Sequence, residues 1–307
     1  MIKHVDPTVE LSAAALADID WNVQLLKNSG QFLDWISIHG YWDPIHETND
    51  CADYDACMVY TNDIDSSVVK VRGLLSAMGL DKKIKIAFDE WNLRGWYHPN
   101  VHSIVQGVTK EEYLYPRDKN DDNTLYTMAD AVFSACFLNM CNRFCDIVGM
   151  ASFAPIVNTR GCIYTHKDGI VLRSTYHVFD LYVNYLGDTV LDSWNEEMPV
   201  KALKSRKGDP VDVELLDVVV TSFSDRKGYA VAAVNKDGCC ARKLTLDMEA
   251  EGDVSIHYIS GDSTEAYNDI GHEGVQILHE KLGAFSRGME VELKPHSVNI
   301  IQIGVEE

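Results

Sequence analysis

Apolar residues in the first 186 positions alternate between short runs and longer stretches with helical spacing. The short runs predict strands at residues 9–15, 33–39, 84–88 and 147–153. The longer stretches predict helices at residues 20–28, 56–78, 123–144 and 174–186. Because neighbouring parallel strands need a crossover such as a helix, this alternation predicts four strand–helix units and a parallel α/β sheet.

From residue 187 onward, short strand-like segments follow one another without a helical stretch. Turn signals such as Asp-Arg-Lys-Gly at 225–228 and Asn-Lys-Asp-Gly at 235–238 separate several of them. The predicted strands cover residues 215–223, 229–235, 241–248, 254–260, 275–281, 289–293 and 298–303. Such a series is typical of an antiparallel β-sandwich. The sequence therefore predicts two domains, at residues 1–186 and 187–307.

The charge balance narrows the partners that this chain can bind. The 307 residues carry a formal net charge of −20, and a surface this acidic repels phosphate groups. Nucleic acid and anionic membranes are therefore excluded as partners, whereas a neutral saccharide is permitted. No apolar run reaches the ~18 residues of a membrane span, and the N-terminus lacks the pattern of a signal peptide. We expect a cytoplasmic protein.

Eight cysteines are present, and in an intracellular chain they are expected to be reduced thiols. Cys136, Cys141 and Cys145 lie among phenylalanine, leucine and methionine residues, which favours apolar packing. Their spacing matches no Cys-x-x-Cys pattern, so the sequence predicts no metal site.

Candidate chemistry gathers where the predicted strands end, which is where parallel α/β folds place reactive residues. The second strand runs into Ser-Ile-His-Gly-Tyr-Trp at 37–42, the third into Asp-Glu-Trp-Asn at 89–92, and the fourth into Ala-Pro-Ile-Val-Asn at 154–158. Aromatic rings beside carboxylates and amides suit a sugar. Neighbouring strand residues point to opposite faces, so Asp89 and Glu90 are expected to diverge rather than work as a pair.

Five segments carry a resemblance to a known family. Lys-Ile-Ala-Phe-Asp-Glu-Trp-Asn at 85–92 closely resembles the nucleophile segment of family 51 glycoside hydrolases, the α-L-arabinofuranosidases. Trp-Ile-Ser-Ile-His-Gly-Tyr at 35–41 is similar to the family's sixth-strand motif. Asn-Thr-Arg-Gly at 158–161, with residues 173–179, looks like its eighth unit. Residues 266–268 and 295–298 resemble signatures of its C-terminal sandwich, and the resemblance covers the whole chain in the family's order.

The resemblance implies the C-terminal half of a (β/α)8 TIM barrel, units 5 to 8, followed by a jelly-roll-like β-sandwich. It also implies retaining hydrolysis of terminal, non-reducing α-L-arabinofuranosyl groups with no metal or other cofactor. If the roles of the family's matching positions apply here, Glu90 is the nucleophile and Tyr41 hydrogen-bonds it. His39, Trp96 and Asn158 would then line the sugar pocket. Two of these positions have plainer interpretations: His39 could satisfy core backbone groups, and Trp96 could be barrel packing.

The family's acid/base glutamate, which follows an asparagine at the end of the fourth strand, has no counterpart in the predicted barrel. The one Asn-Glu pair, Asn195-Glu196, follows the last predicted helix. Residues 1–7 resemble the segment just before the family's fifth strand, so we expect the acid/base and four units to lie outside this chain. Little activity is then expected from the chain alone.

Three interpretations remain open. The chain is a fragment of a longer enzyme, one half of a split enzyme, or a non-catalytic module for arabinan binding or assembly. In each case an incomplete barrel exposes sheet edges, so we expect self-association or a complementing half-barrel chain.

Overall fold

The computed structural model describes residues 2–15, 19–45, 50–95 and 121–305. Its first layer is a four-stranded sheet with the order β1-β2-β3-β4, in which every pair of neighbours is parallel. The strands are β1 (Ser12–Ala14), β2 (Trp35–Asp43), β3 (Lys85–Arg94) and β4 (Val148–Phe153). The helices are α1 (Ile2–Val5), α2 (Ile19–Ser29), α3 (Tyr54–Val59), α4 (Ser66–Ala77), α5 (Met128–Arg143) and α6 (Ser174–Tyr185). The predicted parallel α/β arrangement is confirmed.

The single helix predicted at 56–78 is wrong, because a turn of 3-10 helix at Tyr60–Asp63 separates α3 from α4. This linker consists largely of polar residues whose side chains compete for backbone hydrogen bonds. The Thr61 hydroxyl, for example, donates to the Met58 carbonyl at 2.6 Å. By contrast, α5 begins cleanly at a capping box formed by Thr127 and Asp130.

The C-terminal region is built on a six-stranded antiparallel sheet with the order β16-β13-β18-β11-β10-β7. Its strands are β7 (Thr189–Val190), β10 (Leu216–Ser222), β11 (Tyr229–Asn235), β13 (Asp253–Ile259), β16 (Leu278–Ala284) and β18 (Ser297–Ile303). Four two-stranded pairs accompany it: β5 (Ile163–His166) with β6 (Gly169–Leu172), β8 (Val200–Lys204) with β9 (Pro210–Glu214), β12 (Arg242–Leu246) with β17 (Met289–Leu293), and β14 (Asn268–Asp269) with β15 (His272–Glu273).

Both faces of the six-stranded sheet are buried at its central strands β11 and β18. In β11, Ala230, Ala232 and Val234 belong to an apolar core that also contains residues of α5, whereas Val231 and Ala233 belong to a second core with residues of β12 and β17. The period of two along the strand divides these side chains between the cores. The helices that cover the parallel sheet therefore also cover one face of the antiparallel sheet.

Each of the seven segments predicted as strands beyond residue 187 overlaps an observed strand. The pairs β5–β6, β8–β9 and β14–β15, together with β7, were not predicted, because each strand has only two to five residues. All eight cysteines are free thiols. No helix within the described ranges combines the length and apolarity needed to cross a membrane.

Candidate functional site

The two faces of the parallel sheet differ in character. In β2, Ile36 and Ile38 are fully buried in the apolar core, whereas His39 lies half exposed and Tyr41 partly exposed. His39 and Tyr41 thus lie on an accessible part of one face of β2, although Ser37 and Asp43 of the same strand are buried. This face carries the polar side chains of the candidate site.

A β-bulge in β3 reverses the alternation at the centre of the site. Ile86 and Phe88 belong to the apolar core, and after the bulge it is Trp91 and Leu93 that belong to it. The register shifts accordingly, so that Ile38 pairs with Phe88 but His39 pairs with Glu90. Bulges re-aim side chains in this way and are common beside active sites.

The expectation that Asp89 and Glu90 point to opposite faces is therefore wrong. Both carboxylates are about half exposed, and both contact the imidazole of His39. Asp89 Oδ1 lies 3.2 Å from Nε2, and Glu90 Oε2 lies 3.5 Å from Nδ1. The extra residue of the bulge places the two consecutive side chains on one side of the sheet.

Tyr41 contacts the same oxygen of Glu90. Its hydroxyl donates to Glu90 Oε2 at 2.9 Å, as the resemblance implied. Burial, reinforced by this hydrogen bond, raises the pKa of Tyr41 to about 12. The phenol therefore remains a neutral donor to the carboxylate across the physiological range. A carboxylate fixed by a neutral donor and left half open to solvent is suited to act as a nucleophile.

Arg160 completes this side of the site, although sequence reasoning gave it no role. Its guanidinium carbon lies 4.9 Å from the centre of the Tyr41 ring, and Nη1 donates to the Arg94 carbonyl at 2.8 Å. Burial lowers the pKa of Arg160 to about 10, and Tyr41 and Glu90 partly oppose that shift. The only available signal was its position within the Asn-Thr-Arg-Gly motif. The cation favours negative charge at the end of β3.

The loop after β4 is tied to the sheet by Asn92. Its amide nitrogen lies 3.2 Å from the carbonyl oxygens of both Ala154 and Arg160. Within this loop Asn158 has a left-handed backbone, with φ of 59°, and its side-chain oxygen accepts from the backbone and the hydroxyl of Thr165 at 2.8 and 2.9 Å. The structure thus gives Asn158 a loop-fixing role and shows no hydrogen bond from it to Glu90. Trp96 lies outside the described residues.

A buried ionic network anchors the carboxyl end of β3. Arg94 is bidentate to Asp130 of α5, at 2.9 and 2.8 Å, and contacts Asp43 of β2 at 2.8 Å. Arg206, from the β8–β9 turn, pairs with the other oxygen of Asp43. Burial opposes the charge of Arg94, but the neighbouring Asp130 outweighs it and keeps the pKa of the guanidinium well above its usual value. The network joins the parallel sheet, α5 and the β8–β9 turn just beyond Glu90.

Comparison with known proteins identifies relatives along most of the chain. The sequence model of the family Alpha-L-arabinofuranosidase C-terminal domain matches residues 89–297. Intracellular exo-alpha-(1->5)-L-arabinofuranosidase 1 of Bacillus subtilis is 24% identical over 97% of this chain and 55% of its own length. Intracellular exo-alpha-(1->5)-L-arabinofuranosidase of Streptomyces lividans is 29% identical over 62% of this chain and 29% of its own length.

A solved structure agrees in fold. The alpha-L-arabinofuranosidase of Thermotoga maritima, crystallised as an arabinose complex, superposes with a TM-score of 0.75 and 24% identity, covering 99% of this chain and 59% of that one. The Bacillus and Thermotoga proteins match nearly all of this chain. The chain spans only about half of their length.

Proposed function

Because the chain belongs to the α-L-arabinofuranosidase family, of whose family 51 members it matches the C-terminal part, we propose that it carries the nucleophile side of a retaining α-L-arabinofuranosidase site. Its substrate would be a terminal, non-reducing α-L-arabinofuranosyl group of an oligo- or polysaccharide. One observation carries the proposal: the carboxylate of Glu90 is held by the Tyr41 hydroxyl on the accessible face of the sheet.

In this mechanism Glu90 attacks the anomeric carbon of the arabinofuranosyl group. The glycosidic bond breaks, and an arabinosyl ester of Glu90 forms. A second carboxylic acid gives its proton to the departing oxygen and then removes one from the water that hydrolyses the ester. Tyr41 and His39 orient the attacking oxygen. The chemistry requires no metal or organic cofactor.

The second carboxyl group must lie across the sugar, about 5 Å from the nucleophile. In the described part of the chain, Asp89 is the other carboxylate that shares the His39 imidazole with Glu90, and it flanks the nucleophile on the same strand. Asp89 is therefore a poor candidate for the acid/base. We propose that this group comes from polypeptide outside the described residues, in the same protein or in a second chain.

The parallel sheet is proposed to be units 5 to 8 of a (β/α)8 barrel, and the C-terminal region its jelly-roll-like sandwich, with domains at 1–186 and 187–307. Within the described strands, β1 and β4 each have a parallel neighbour on one side only. Both edges, and the accessible face between them, are proposed to receive a complementing half barrel or a second copy. The names of the bacterial relatives support an intracellular location.

An activated substrate tests the nucleophile separately from the missing acid. An aryl α-L-arabinofuranoside with a strongly acidic phenol needs no proton for its first step, so the chain should release one equivalent of phenol in a burst. Glu90→Gln should abolish the burst. A folded chain that gives no burst, but still binds arabinan, would instead support a non-catalytic binding module.

Natural arabinosides test the second half of the proposal. Their alkoxide leaving groups need acid catalysis, which contributes roughly 10²–10⁴-fold. The chain alone should therefore turn them over very slowly. Rapid hydrolysis by the chain alone would show that it contains its own acid/base.

A further inference from the structure

The turn after β11 brings two thiols and a buried carboxylate together, far along the sequence from Glu90. Asp237 is fully buried, whereas Cys239 and Cys240 are exposed. The two sulfur atoms lie 3.5 Å apart, and Cys239 Sγ lies 3.3 Å from Asp237 Oδ1. All three potential ligand atoms fall within 4.8 Å of one another.

These separations match the edges of a tetrahedral zinc site. With Zn–S bonds of roughly 2.3 Å and Zn–O bonds of roughly 2.0 Å, two sulfur ligands lie about 3.8 Å apart, and a sulfur and an oxygen about 3.5 Å. The separation of the two sulfur atoms and that of Cys239 Sγ from Asp237 Oδ1 need to change by only a few tenths of an ångström. We propose that Asp237, Cys239 and Cys240 form a surface site for a thiophilic divalent cation such as Zn²⁺, with a water molecule in the fourth position.

The partners of Asp237 already orient its ligand oxygen. Arg242 binds Oδ2, which leaves Oδ1 directed at the backbone N–H groups and the thiol of the turn. Such outer-shell contacts fix the direction of a metal ligand. Arg242 therefore stays in place when the cation binds and keeps the carboxylate in position.

The side chain of Lys201 must move when the cation binds. Its ammonium lies 3.3 Å from Asp237 Oδ1 and 3.8 Å from Cys239 Sγ, close to the position that the cation would take. Its side chain is 42% exposed, so it can swing into solvent. In the metal-free turn this ammonium partly fills the place of the cation. Cation binding and Lys201 contact are thus mutually exclusive.

Occupancy of the site would stiffen a junction between the two parts of the fold. The preceding residue, Lys236, accepts a hydrogen bond from Tyr54 of α3 through its carbonyl and donates one to Thr61 through its ammonium, at 3.2 and 3.0 Å. The cation would therefore raise the thermal stability of the whole chain. This effect does not depend on arabinosidase activity.

The test titrates the reduced 307-residue chain with Zn²⁺ by calorimetry and with Cd²⁺ by ultraviolet absorption. We expect one tight equivalent of Zn²⁺, a thiolate-to-Cd²⁺ charge-transfer band, and a higher melting temperature on metal addition. Cys240→Ser is the informative variant, because this exposed side chain contacts only the neighbouring sulfur among the described hydrogen bonds. It should weaken binding by more than about 100-fold, since even an outer-shell loss costs 10- to 100-fold.

Cys145→Ser is the matched control, because Cys145 is also an exposed thiol but lies at the end of α5. It should bind both metals as the unmodified chain does. Cys239→Ser provides a second loss-of-ligand variant. The proposal would be overturned if the reduced chain did not bind Zn²⁺. It would also be overturned if both turn variants kept their Zn²⁺ binding, or if Cys145→Ser lost it.

Discussion

Asp89 and Glu90 lie on one face of the parallel sheet and contact opposite nitrogens of the same imidazole, although they are consecutive in β3. The bulge that produces this arrangement gives the two carboxylates different surroundings. Glu90 alone also accepts the hydrogen bond of Tyr41. We therefore predict different roles for the two carboxylates: Glu90 reacts with the sugar, and Asp89 orients His39.

Isosteric amides separate the two roles. Glu90→Gln should reduce the burst from an activated aryl arabinofuranoside by on the order of 10³-fold or more, as expected for loss of a nucleophile. Asp89→Asn should reduce it only about 10-fold, because the contact that orients His39 is weakened while the nucleophile remains. Burst rates measured by stopped flow decide between these outcomes. Equal losses in the two variants would contradict the assigned division.

Tyr41→Phe removes the donor from Glu90 and leaves the ring under Arg160. A hydrogen bond to a charged group contributes about 1.5–3 kcal/mol, so the burst rate should fall by about 10- to 100-fold. Thermal unfolding at neutral pH serves as the control, because it shows that the variant is folded at the temperature of the burst measurement. If the burst rate is unchanged, Tyr41 does not position the nucleophile.

Tyr41 also predicts a signature at alkaline pH. Its pKa is raised to about 12, from an ordinary value near 10, because burial and the Glu90 carboxylate disfavour the phenolate. The unfolded chain releases this proton first, so the stabilisation is complete below about pH 10 and is lost as the pH rises to about 12. Over this interval the free energy of urea unfolding of the native chain should fall relative to that of Tyr41→Phe, which has no phenol at this position. A constant difference would show that Tyr41 titrates normally.

The sequence predicts most of the fold and suggests Glu90 as the candidate nucleophile, but it does not predict the arrangement of side chains around Glu90. Apolar periodicity locates β2, β3 and α5, because burial of their side chains dictates the pattern. The bulge at Asp89 leaves no trace in that pattern, since it appears only when the registers of β2 and β3 are compared. Arg160 was missed for a related reason: its contact with Tyr41 joins the loop after β4 to β2, which is far away in the sequence. Asn158 is the opposite case: the motif suggests a residue of the sugar pocket, whereas its side chain accepts hydrogen bonds from Thr165 and so holds its own loop.

Arg94 is predicted to contribute far more to stability than an exposed arginine does. Arg94→Met leaves Asp43 and Asp130 buried without this partner, and breaking a buried ion pair costs about 3–5 kcal/mol. Arg72→Met is the matched control, because its pair with Asp146 is largely exposed and such pairs contribute about 0–1 kcal/mol. Urea denaturation of both variants gives the comparison. Similar losses of unfolding free energy would refute the structural role of the network.

The open edge of the parallel sheet predicts association of the isolated chain. Met150 on β4 is 47% exposed beside a strand edge that lacks a partner among the described strands, and such edges recruit further strands. Light scattering should show species larger than the 34.4 kDa monomer. Met150→Lys should shift them toward the monomer, because a charge at the edge opposes pairing. Val183→Lys, at a 78% exposed position on α6, should not. A clean monomer of the unmodified chain would contradict the prediction and would indicate that the edge is already covered.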